Sequence, residues 1–385
     1  MEISKNILYV GVNDYDVDLF EGQYKVKNGM SYNSYVIDDQ KIAVMDTVDK
    51  RFGEKWLENI EKVLCGRIPD YLVIHHMEPD HSANIARFIE KYPQAKVVSS
   101  RAAFAMMKNF FGKDYSQNGI VVKEGDKLCL GNCLLTFVAA PMVHWPEVMV
   151  SYESTEKTLF SADAFGSFGA IGSGAAVDEY RRYYIGIVGK YGVQVQALLK
   201  KAAALDIKRI CPLHGEILTD KIGEFVGLYD KWSRYEPERK GVTVAYTSVY
   251  GNTKAAAIEL GEKLKENGVF VRTFDLARSD MSEAVSSAFE LASLVLATTT
   301  YNGELFPFMR EFVSALTERN YQKRTVAVID NGSWAPQCEK IIKKCFENSK
   351  NIVFAQNNVT ILSAMNEQNK QQIALLADEL AEKNA

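Results

Sequence analysis

The hydrophobic residues up to about residue 235 fall into short runs, separated by stretches with helical periodicity. Several runs are rich in Val, Ile, Leu, Phe and Tyr, which is typical of buried strands. They predict strands at 32–37, 41–47, 71–76, 96–100, 134–140, 147–153, 158–163 and 209–215. The helical stretches predict helices at 53–65, 82–91, 101–111, 178–203 and 219–234. Many strands with helices outside them indicate a layered α/β domain.

The pattern changes at a charged, Pro-containing stretch, residues 233–241, which is typical of a linker. Five strands and five helices then alternate over ~145 residues, which predicts a doubly wound parallel sheet. The strands are predicted at 241–248, 269–276, 291–300, 325–332 and 351–361, and the helices at 252–267, 281–289, 308–317 and 336–347, with a closing helix to about Lys383. We therefore expect two domains, residues 1–240 and 241–385.

Composition excludes several classes of protein. The 385 residues carry 45 Lys+Arg against 49 Asp+Glu, a net charge of -4, which gives no electrostatic footprint for nucleic acid. No apolar run approaches the ~20 residues needed to span a membrane, and the start lacks a secretory signal, so a cytoplasmic protein is expected. None of the six cysteines forms a C-x-x-C pair, which excludes an encoded zinc ribbon or rubredoxin-type iron site.

The first turn between strand and helix in the second half is suited to a phosphate. Backbone N–H groups at a helix start bind phosphate, and hydroxyl side chains add donors. The turn lacks the Walker pattern and G-x-G-x-x-G, which argues against a nucleotide triphosphate or nicotinamide site. The candidate phosphate-binding residues are Ser248, Val249, Tyr250, Gly251, Asn252 and Thr253.

Two further loops follow the third and fourth strands of this half, where ligands bind in such sheets. Tyr301 and Trp334 could flank a planar ring while small polar neighbours bind its edge. This half resembles flavodoxin, although Tyr250 stands where that family usually has Thr, and the resemblance implies FMN. The alternative is a capped helix followed by two glycine turns. The candidate ring-binding residues are Thr300, Tyr301, Asn302, Gly303, Ser333, Trp334 and Ala335.

The five histidines all lie in the first half, and four of them fall at one candidate metal site. A strand is followed by H-x-E-x-D-H, and the remaining members follow other predicted strands. The carboxyl ends of strands are where a layered α/β fold gathers its site. The candidate ligands are His76, Glu78, Asp80, His81, His144, Asp163 and His214.

The H-x-E-x-D-H motif resembles the H-x-H-x-D-H zinc motif of the metallo-β-lactamase superfamily, with Glu78 in place of the middle His. Added carboxylate ligands favour non-haem iron, although ligand softness leaves zinc and manganese open. The spacing from His81 to His144 and Asp163, followed by a flavodoxin-like half, resembles the flavodiiron proteins, or A-type flavoproteins. That resemblance covers nearly the whole chain and implies an N-terminal αββα sandwich before the doubly wound sheet.

The resemblance also implies a ligand set. One iron would be held by His76, Glu78, His144 and Asp163, and the other by Asp80, His81, His214 and Asp163, with Asp163 as the bridge. His75 is out of register with the motif, so a role in packing or in supporting a ligand is expected. The segment between Asp163 and His214 is shorter than in the family, which leaves the pocket roles of Tyr183, Tyr184 and Tyr191 open.

The function implied by this resemblance is an oxidoreductase that reduces O2 to water, NO to N2O, or both, at a non-haem diiron site fed by FMN. The family's donors, rubredoxin or a reduced deazaflavin, would be external to the chain, and its head-to-tail homodimer, or a dimer of dimers, is implied as well. Two alternatives stay open: a zinc hydrolase with an accessory flavodoxin domain, and an FMN electron carrier or redox sensor with a vestigial metal site.

Overall fold

The computed structural model describes residues 1–385, which form two compact units, Met1–Asp230 and Lys231–Ala385. The division lies ahead of the charged stretch, whereas the predicted domain limits of 1–240 and 241–385 place it at the end of that stretch. No helix in the chain combines the length and the apolar character needed to cross a lipid bilayer.

The first unit contains fifteen short strands and, with α7 reaching into the second unit, seven α-helices. The strands are β1 (Ile7–Tyr9), β2 (Val12–Asp14), β3 (Leu19–Phe20), β4 (Tyr24–Lys25), β5 (Met30–Tyr32), β6 (Tyr35–Asp38), β7 (Ile42–Met45), β8 (Tyr71–Val73), β9 (Lys96–Ser100), β10 (Ile120–Val122), β11 (Lys127–Cys129), β12 (Leu134–Ala139), β13 (Met149–Glu153), β14 (Thr158–Phe160) and β15 (Arg209–Cys211). The helices are α1 (Gly53–Leu64), α2 (Pro79–Ser82), α3 (Ile85–Lys91), α4 (Arg101–Phe111), α5 (Val177–Tyr183), α6 (Gly192–Ala202) and α7 (Ile222–Ser233).

Two sheets form the centre of this unit. One has the order β1-β6-β7-β8-β9-β10 and the other β11-β12-β13-β14-β15. Apolar side chains from both sheets, such as Ile37 and Phe137, form one buried cluster between them. The opposite face of the first sheet packs on α1, α3 and α4 through residues such as Trp56 and Phe88. Helix α6 covers the outer face of the second sheet, where Leu198 lies near Val150. The layers run helix, sheet, sheet, helix, and the predicted αββα sandwich is confirmed.

The second unit is a doubly wound sheet with the order β17-β16-β18-β20-β21, all parallel, which is the flavodoxin-like order. Helices α8 and α12 pack on one face of the sheet. The elements are β16 (Arg239–Tyr246), α8 (Asn252–Glu266), β17 (Val271–Asp275), α9 (Met281–Glu290), β18 (Leu291–Tyr301), β19 (Glu304–Leu305), α10 (Pro307–Glu318), β20 (Arg324–Asn331), α11 (Cys338–Cys345), β21 (Ile352–Phe354), β22 (Val359–Ile361) and α12 (Glu367–Lys383).

The predicted helix 178–203 was wrong as a single element. It is α5, a wide π-type turn Tyr184–Val188, a tight turn Gly189–Tyr191, and then α6. Three glycines lie in this segment, and glycine weakens a helix interior by about 1 kcal/mol relative to alanine. Gly186 is required by packing, because a Cβ there would lie 2.9 Å from the Tyr24 hydroxyl.

The predicted strand 351–361 is interrupted between β21 and β22. The carboxylate of Glu379 accepts hydrogen bonds from the backbone N–H groups of Gln356 (2.9 Å) and Asn357 (2.9 Å). These N–H groups are satisfied by a side chain from α12 rather than by a neighbouring strand, so the sheet ladder breaks there.

Candidate metal centre and flavin site

The seven candidate metal ligands are brought together at one edge of the first unit. His76 and Glu78 follow β8, and Asp80 and His81 lie in the short helix α2, whose first residue is Pro79. Proline suits this first position because its missing N–H would have no partner within the helix anyway. His144 lies in the loop between β12 and β13, while Asp163 and His214 follow the neighbouring parallel strands β14 and β15.

One group of side-chain atoms converges around His76. Its Nε2 lies 3.2 Å from Glu78 Oε2 and 3.3 Å from Asp163 Oδ2. His144 Nε2 lies 3.1 Å from the same Glu78 oxygen and 3.6 Å from the same Asp163 oxygen. Ligands about 2.1 Å from one cation lie about 3.0–3.5 Å from each other, so these four atoms have the spacing of a single metal site.

A second group converges around His81. Its Nε2 lies 2.8 Å from His214 Nε2 and 3.4 Å from Asp80 Oδ2, and His214 Nε2 lies 3.1 Å from that same oxygen. The other oxygen of Asp163, Oδ1, lies 4.0 Å from His81 Nε2 and 3.8 Å from His214 Nε2. Asp163 thus turns one carboxylate oxygen toward each group, which is the arrangement of a bridging ligand.

The ligand atoms are placed to bind cations rather than to form hydrogen bonds with one another. Asp163 Oδ2 and Asp80 Oδ1 are buried and have no hydrogen-bond partner, and a buried polar atom left without one is costly. His81 and His214 point their Nε2 atoms at each other at 2.8 Å. Two neutral imidazoles can share this space only through a proton or a metal ion. The site therefore has the chemistry of a dinuclear centre with nitrogen and carboxylate ligands.

The buried histidines and carboxylates of the site shift one another's pKa values. Burial lowers the pKa of His76, but the carboxylates of Asp163, Glu147 and Glu78 outweigh it and hold that pKa well above its usual range. Burial raises the pKa of Glu78, yet hydrogen bonds from His144 and His76 hold it well below its usual range. Glu78 therefore stays anionic at neutral pH, as a metal ligand must.

The turn that carries Asp163 is held in an unusual conformation. Ala162 and Phe165 have φ of +51° and +65°, a backbone region that residues other than glycine rarely occupy. Their backbone is fixed from outside: Leu213 N–H donates to Ala162 O (2.9 Å), and Phe165 N–H donates to the Tyr229 hydroxyl (2.5 Å). Backbone strain of this kind is concentrated at functional sites, where it holds a side chain, here that of Asp163, in a fixed position.

His214 is oriented by residues that the sequence did not point to. Its Nδ1 donates to the Ser31 carbonyl (2.6 Å), so Nε2 is left to face the metal site. Asn33 Nδ2 donates to Pro212 O (2.9 Å) and Gly215 O (3.0 Å) on either side of it. Ser31 lies 183 positions from His214, and Asn33 lies 179 positions from Pro212, so no local motif marks either residue.

Glu147 is a further residue missed at the sequence level. It is fully buried, and its Oε1 accepts hydrogen bonds from His76 Nδ1 (2.8 Å) and from the Met77 N–H (2.8 Å). A carboxylate on the far nitrogen of a metal-binding imidazole fixes its tautomer and raises its basicity. The one available signal was its position three residues after His144.

His75 faces away from the metal site. Its Nδ1 pairs with Asp46 Oδ2 (2.5 Å) and its Nε2 with Ser151 Oγ (2.8 Å), so both ring nitrogens are engaged. Asp46 Oδ1 also accepts the His75 N–H (2.7 Å). These contacts match the expectation that His75 packs or supports the site and does not bind metal.

Aromatic rings and one hydroxyl border the cluster. Phe20 lies edge-on to His214 (5.1 Å between ring centres), and Trp145 lies edge-on to His76 (5.1 Å). The Tyr183 hydroxyl donates to Asp163 Oδ1 (2.9 Å), which gives this tyrosine a place at the site. Tyr184 packs instead on Tyr229, and Tyr191 ends the turn before α6.

A pocket of about 310 Å3, here called the polar pocket, opens beside the cluster. Glu78 and Asp80 form part of its wall, together with Arg51 and Asp49. The β3–β4 hairpin supplies another part through Glu21, and burial together with the nearby Glu78 charge raises the pKa of Glu21 to about 7. The polar pocket gives a small molecule or water access to the metal-binding carboxylates.

The predicted phosphate loop lies at the carboxyl end of β16 and the start of α8. Gly251 precedes α8 with φ of +94°, a left-handed conformation that glycine adopts without strain. No side chain caps the first turn of α8, and a Cβ on Gly251 would meet open space. The Ser248 Oγ accepts the Gly251 N–H (3.1 Å) and closes the loop. This leaves an open cradle of N–H groups suited to a phosphate.

The two candidate ring-binding loops lie at the ends of the adjacent strands β18 and β20. Asn302 and Gly303 form a tight turn with positive φ, which places Tyr301 at its edge. Trp334 is 90% exposed and Tyr301 is 46% exposed. Large aromatic rings are seldom left this open without a partner, so both are available to stack on a planar ligand.

The comparisons with known proteins agree with this architecture. Residues 30–215 match the sequence profile of the family described as ODP family beta lactamase. An uncharacterized protein of Methanocaldococcus jannaschii is 30% identical over 357 residues, which cover 90% of this chain and 89% of the relative. An anaerobic nitric oxide reductase flavorubredoxin of Aliivibrio salmonicida is 29% identical over 87% of this chain and 69% of its own length.

Two solved structures match the whole chain. The rubredoxin oxygen:oxidoreductase of Desulfovibrio gigas superposes with a TM-score of 0.92 and 25% identity, covering 100% of this chain and 98% of that one. The flavodiiron protein of Giardia intestinalis gives a TM-score of 0.91 and 25% identity over the same shares. With a bridged two-metal ligand cluster in the first unit and a flavodoxin-like sheet in the second, the chain belongs to the flavodiiron protein family.

Proposed function

We propose that the protein is an oxidoreductase that reduces O2, NO or both at a non-haem diiron centre, with FMN as the source of electrons. The single observation that carries the proposal is Asp163, whose two carboxylate oxygens face two separate groups of metal-binding atoms. A bridged pair of metal sites in the same chain as a flavin-type sheet is suited to multi-electron reduction of a small molecule.

The ligands are assigned as the resemblance implied. His76, Glu78, His144 and Asp163 would hold one iron, and Asp163 would also join the second set, which consists of Asp80, His81 and His214. When bound, the two irons and the flavin supply electrons that a small diatomic accepts. Imidazole with carboxylate oxygen suits iron of modest potential.

The other residues of the site hold the ligands and order protons. Ser31 fixes the tautomer of His214, and Glu147 does the same for His76. The Tyr183 hydroxyl donates a hydrogen bond to Asp163 and so stabilises the negative charge of that carboxylate. The same hydroxyl is placed to give or take up a proton beside the metal site. Phe20 and Trp145 keep water from the ring edges of the imidazoles.

The residues assigned to FMN divide by chemistry. The N–H groups at the start of α8 would hold the phosphate, with Ser248 and Thr253 as hydroxyl donors beside Val249, Tyr250, Gly251 and Asn252. Thr253 is already oriented, since its Oγ1 accepts from Asn331 Nδ2 (3.2 Å). Tyr301 and Trp334 would flank the flavin ring, and Thr300, Asn302, Gly303, Ser333 and Ala335 would make the remaining contacts.

The electron donor is a separate molecule, of the rubredoxin or reduced deazaflavin type. The names of two relatives carry the word rubredoxin, and no two cysteines of this sequence have the C-x-x-C spacing of such a module. We also propose a head-to-tail homodimer as the assembly, alone or as a dimer of dimers. Sedimentation velocity at micromolar concentration tests the assembly, and a monomer would contradict it.

Loss of Glu147 as an anion is expected to weaken the metal site that contains His76. In Glu147→Gln the hydrogen bonds can persist while the charge that raises the basicity of His76 is gone, so iron affinity should fall about 10- to 100-fold. Chelator-buffered titration with ferrous ion measures this. The exposed Glu61→Gln is the matched control, and equal affinity in both variants would contradict the role given to Glu147.

Metal and flavin analysis tests the proposed function against the zinc hydrolase and the FMN carrier. We expect about two irons and one FMN per chain in protein isolated without added metal. Removing the metal with a chelator should leave the flavin spectrum unchanged, abolish reoxidation of the reduced flavin by NO and slow its reoxidation by O2, which also reacts with a reduced flavin directly. Two zinc ions together with esterase activity would replace the proposal by the hydrolase, and FMN without a metal would replace it by the carrier.

A further inference from the structure

A second, apolar cavity of about 20 Å3 lies in the first unit between α6 and the outer face of the second sheet. About 10–15 Å3 of such space holds one water molecule, so there is room for one small molecule. Val150 and Leu159 line it from the sheet, Leu198 from the helix, and Ala164 and Phe165 from the turn after β14. We call this space the apolar cavity.

The two polar side chains in its wall are already engaged. Ser161 Oγ donates to the Ala164 carbonyl (2.7 Å). Lys201 Nζ binds Glu124 Oε2 (2.9 Å) and the Ala139 carbonyl (2.9 Å), so only its apolar stem borders the cavity. A water molecule in the cavity would have few hydrogen-bond partners, whereas a small apolar molecule gives up no hydrogen bonds when it enters.

The residues that line the cavity become more buried from its mouth to its inner end. Leu199, Ala202 and Leu205, on and just after α6, are partly exposed and lie at the mouth. Ala164 and Phe165 are buried at the inner end, where they directly follow Asp163. The strained turn that presents Asp163 to the metal sites is therefore also the inner wall of an apolar space that reaches the surface.

We propose that the apolar cavity binds one molecule of O2 or NO and supplies it to the metal centre past the turn that carries Asp163. This inference rests on the proposed function. Both gases are small and apolar, so the hydrophobic effect concentrates them in such a space. The polar pocket has apolar side chains in its wall as well, but its charged groups, Glu21, Arg51, Glu78 and Asp80, can bind water and pass protons. The centre would then receive gas and protons by different routes.

Xenon is the probe for the cavity, because it binds apolar cavities of this kind. We expect crystals of the holoprotein under xenon pressure to show a xenon atom against Val150 and Ala164. Ala202→Phe should block the mouth and lose the xenon. The matched control is Ala203→Phe, an exposed alanine at the end of the same helix, which should keep it. Leu198→Ala enlarges the space and should keep it as well.

Kinetics test whether the cavity supplies gas. Relative to wild type, Ala202→Phe should raise KM for the gas at least about threefold, with kcat at saturating gas and the iron and FMN contents unchanged. Wild-type crystals without xenon would overturn the inference, and so would an Ala202→Phe protein that loses xenon but keeps its KM. If the reduced wild type reacts with neither gas, the proposed function fails, while bound xenon still supports gas binding by the cavity.

Discussion

Asp163→Asn is expected to reduce the iron content from about two to one or fewer per chain and to lower gas turnover at least about 100-fold, with FMN retained. The change replaces a carboxylate with two acceptor oxygens by an amide that has one oxygen and an NH2 group. Only one of the two groups of ligand atoms could then receive an oxygen from this position. Loss of a supporting contact already costs 10- to 100-fold, and loss of a shared ligand should cost more.

The measurement is metal analysis and flavin absorbance on the same preparation, followed by gas-consumption rates. Asp206→Asn is the control, because that aspartate is exposed on the surface and pairs only with Lys157 there. Retention of both irons and of full turnover in Asp163→Asn would remove the bridging role. Loss of FMN with both irons retained would contradict the assignment of the two cofactors to the two units.

Ser248→Asp is expected to weaken FMN binding at least about 100-fold while leaving the iron content unchanged. The half-buried Ser248 closes the loop before α8, so a carboxylate there would face the cofactor phosphate. Two like charges about 4–6 Å apart at an effective dielectric constant near 20 repel by about 3–4 kcal/mol. Each 1.4 kcal/mol is about a tenfold change in affinity.

Fluorescence titration of the flavin-free protein with FMN measures the affinity. Ser248→Ala separates charge from the loss of a hydroxyl. That variant loses one hydrogen bond, worth about 0.5–1.5 kcal/mol, and should bind only about 2- to 13-fold more weakly. Equal affinities in Ser248→Asp and Ser248→Ala would place the phosphate elsewhere in the unit.

The candidate ligands were accessible from the sequence because histidine is scarce here and falls at strand ends. This signal is local in the sequence. The motif from His76 to His81 is contiguous, and Asp163 and His214 each end an apolar run. The supporting residues had no such signal. Ser31 reaches His214 across 183 positions, and Glu147 reaches His76 across 71, so their roles depend on contacts made only in the folded chain.

The same distinction applies to the fold. The alternation in the second half predicted the doubly wound sheet, which is confirmed. Its central strands β16, β18 and β20 have eight to eleven residues and the helices between them are long, so each shows its own period. The N-terminal strands β1 to β5 have only two or three residues each, too few to show one. Gly186, which lies in the break after α5, packs against Tyr24, a contact that no local pattern records.

Anaerobic stopped-flow mixing of the fully reduced protein with O2 and, separately, with NO tests the central claim most directly. With two irons and FMN bound, the flavin should be reoxidised within seconds by at least one gas, and metal-free protein should be reoxidised more slowly by O2 and not at all by NO. If neither gas reoxidises the flavin of the fully loaded protein on that timescale, the proposed gas reduction is contradicted.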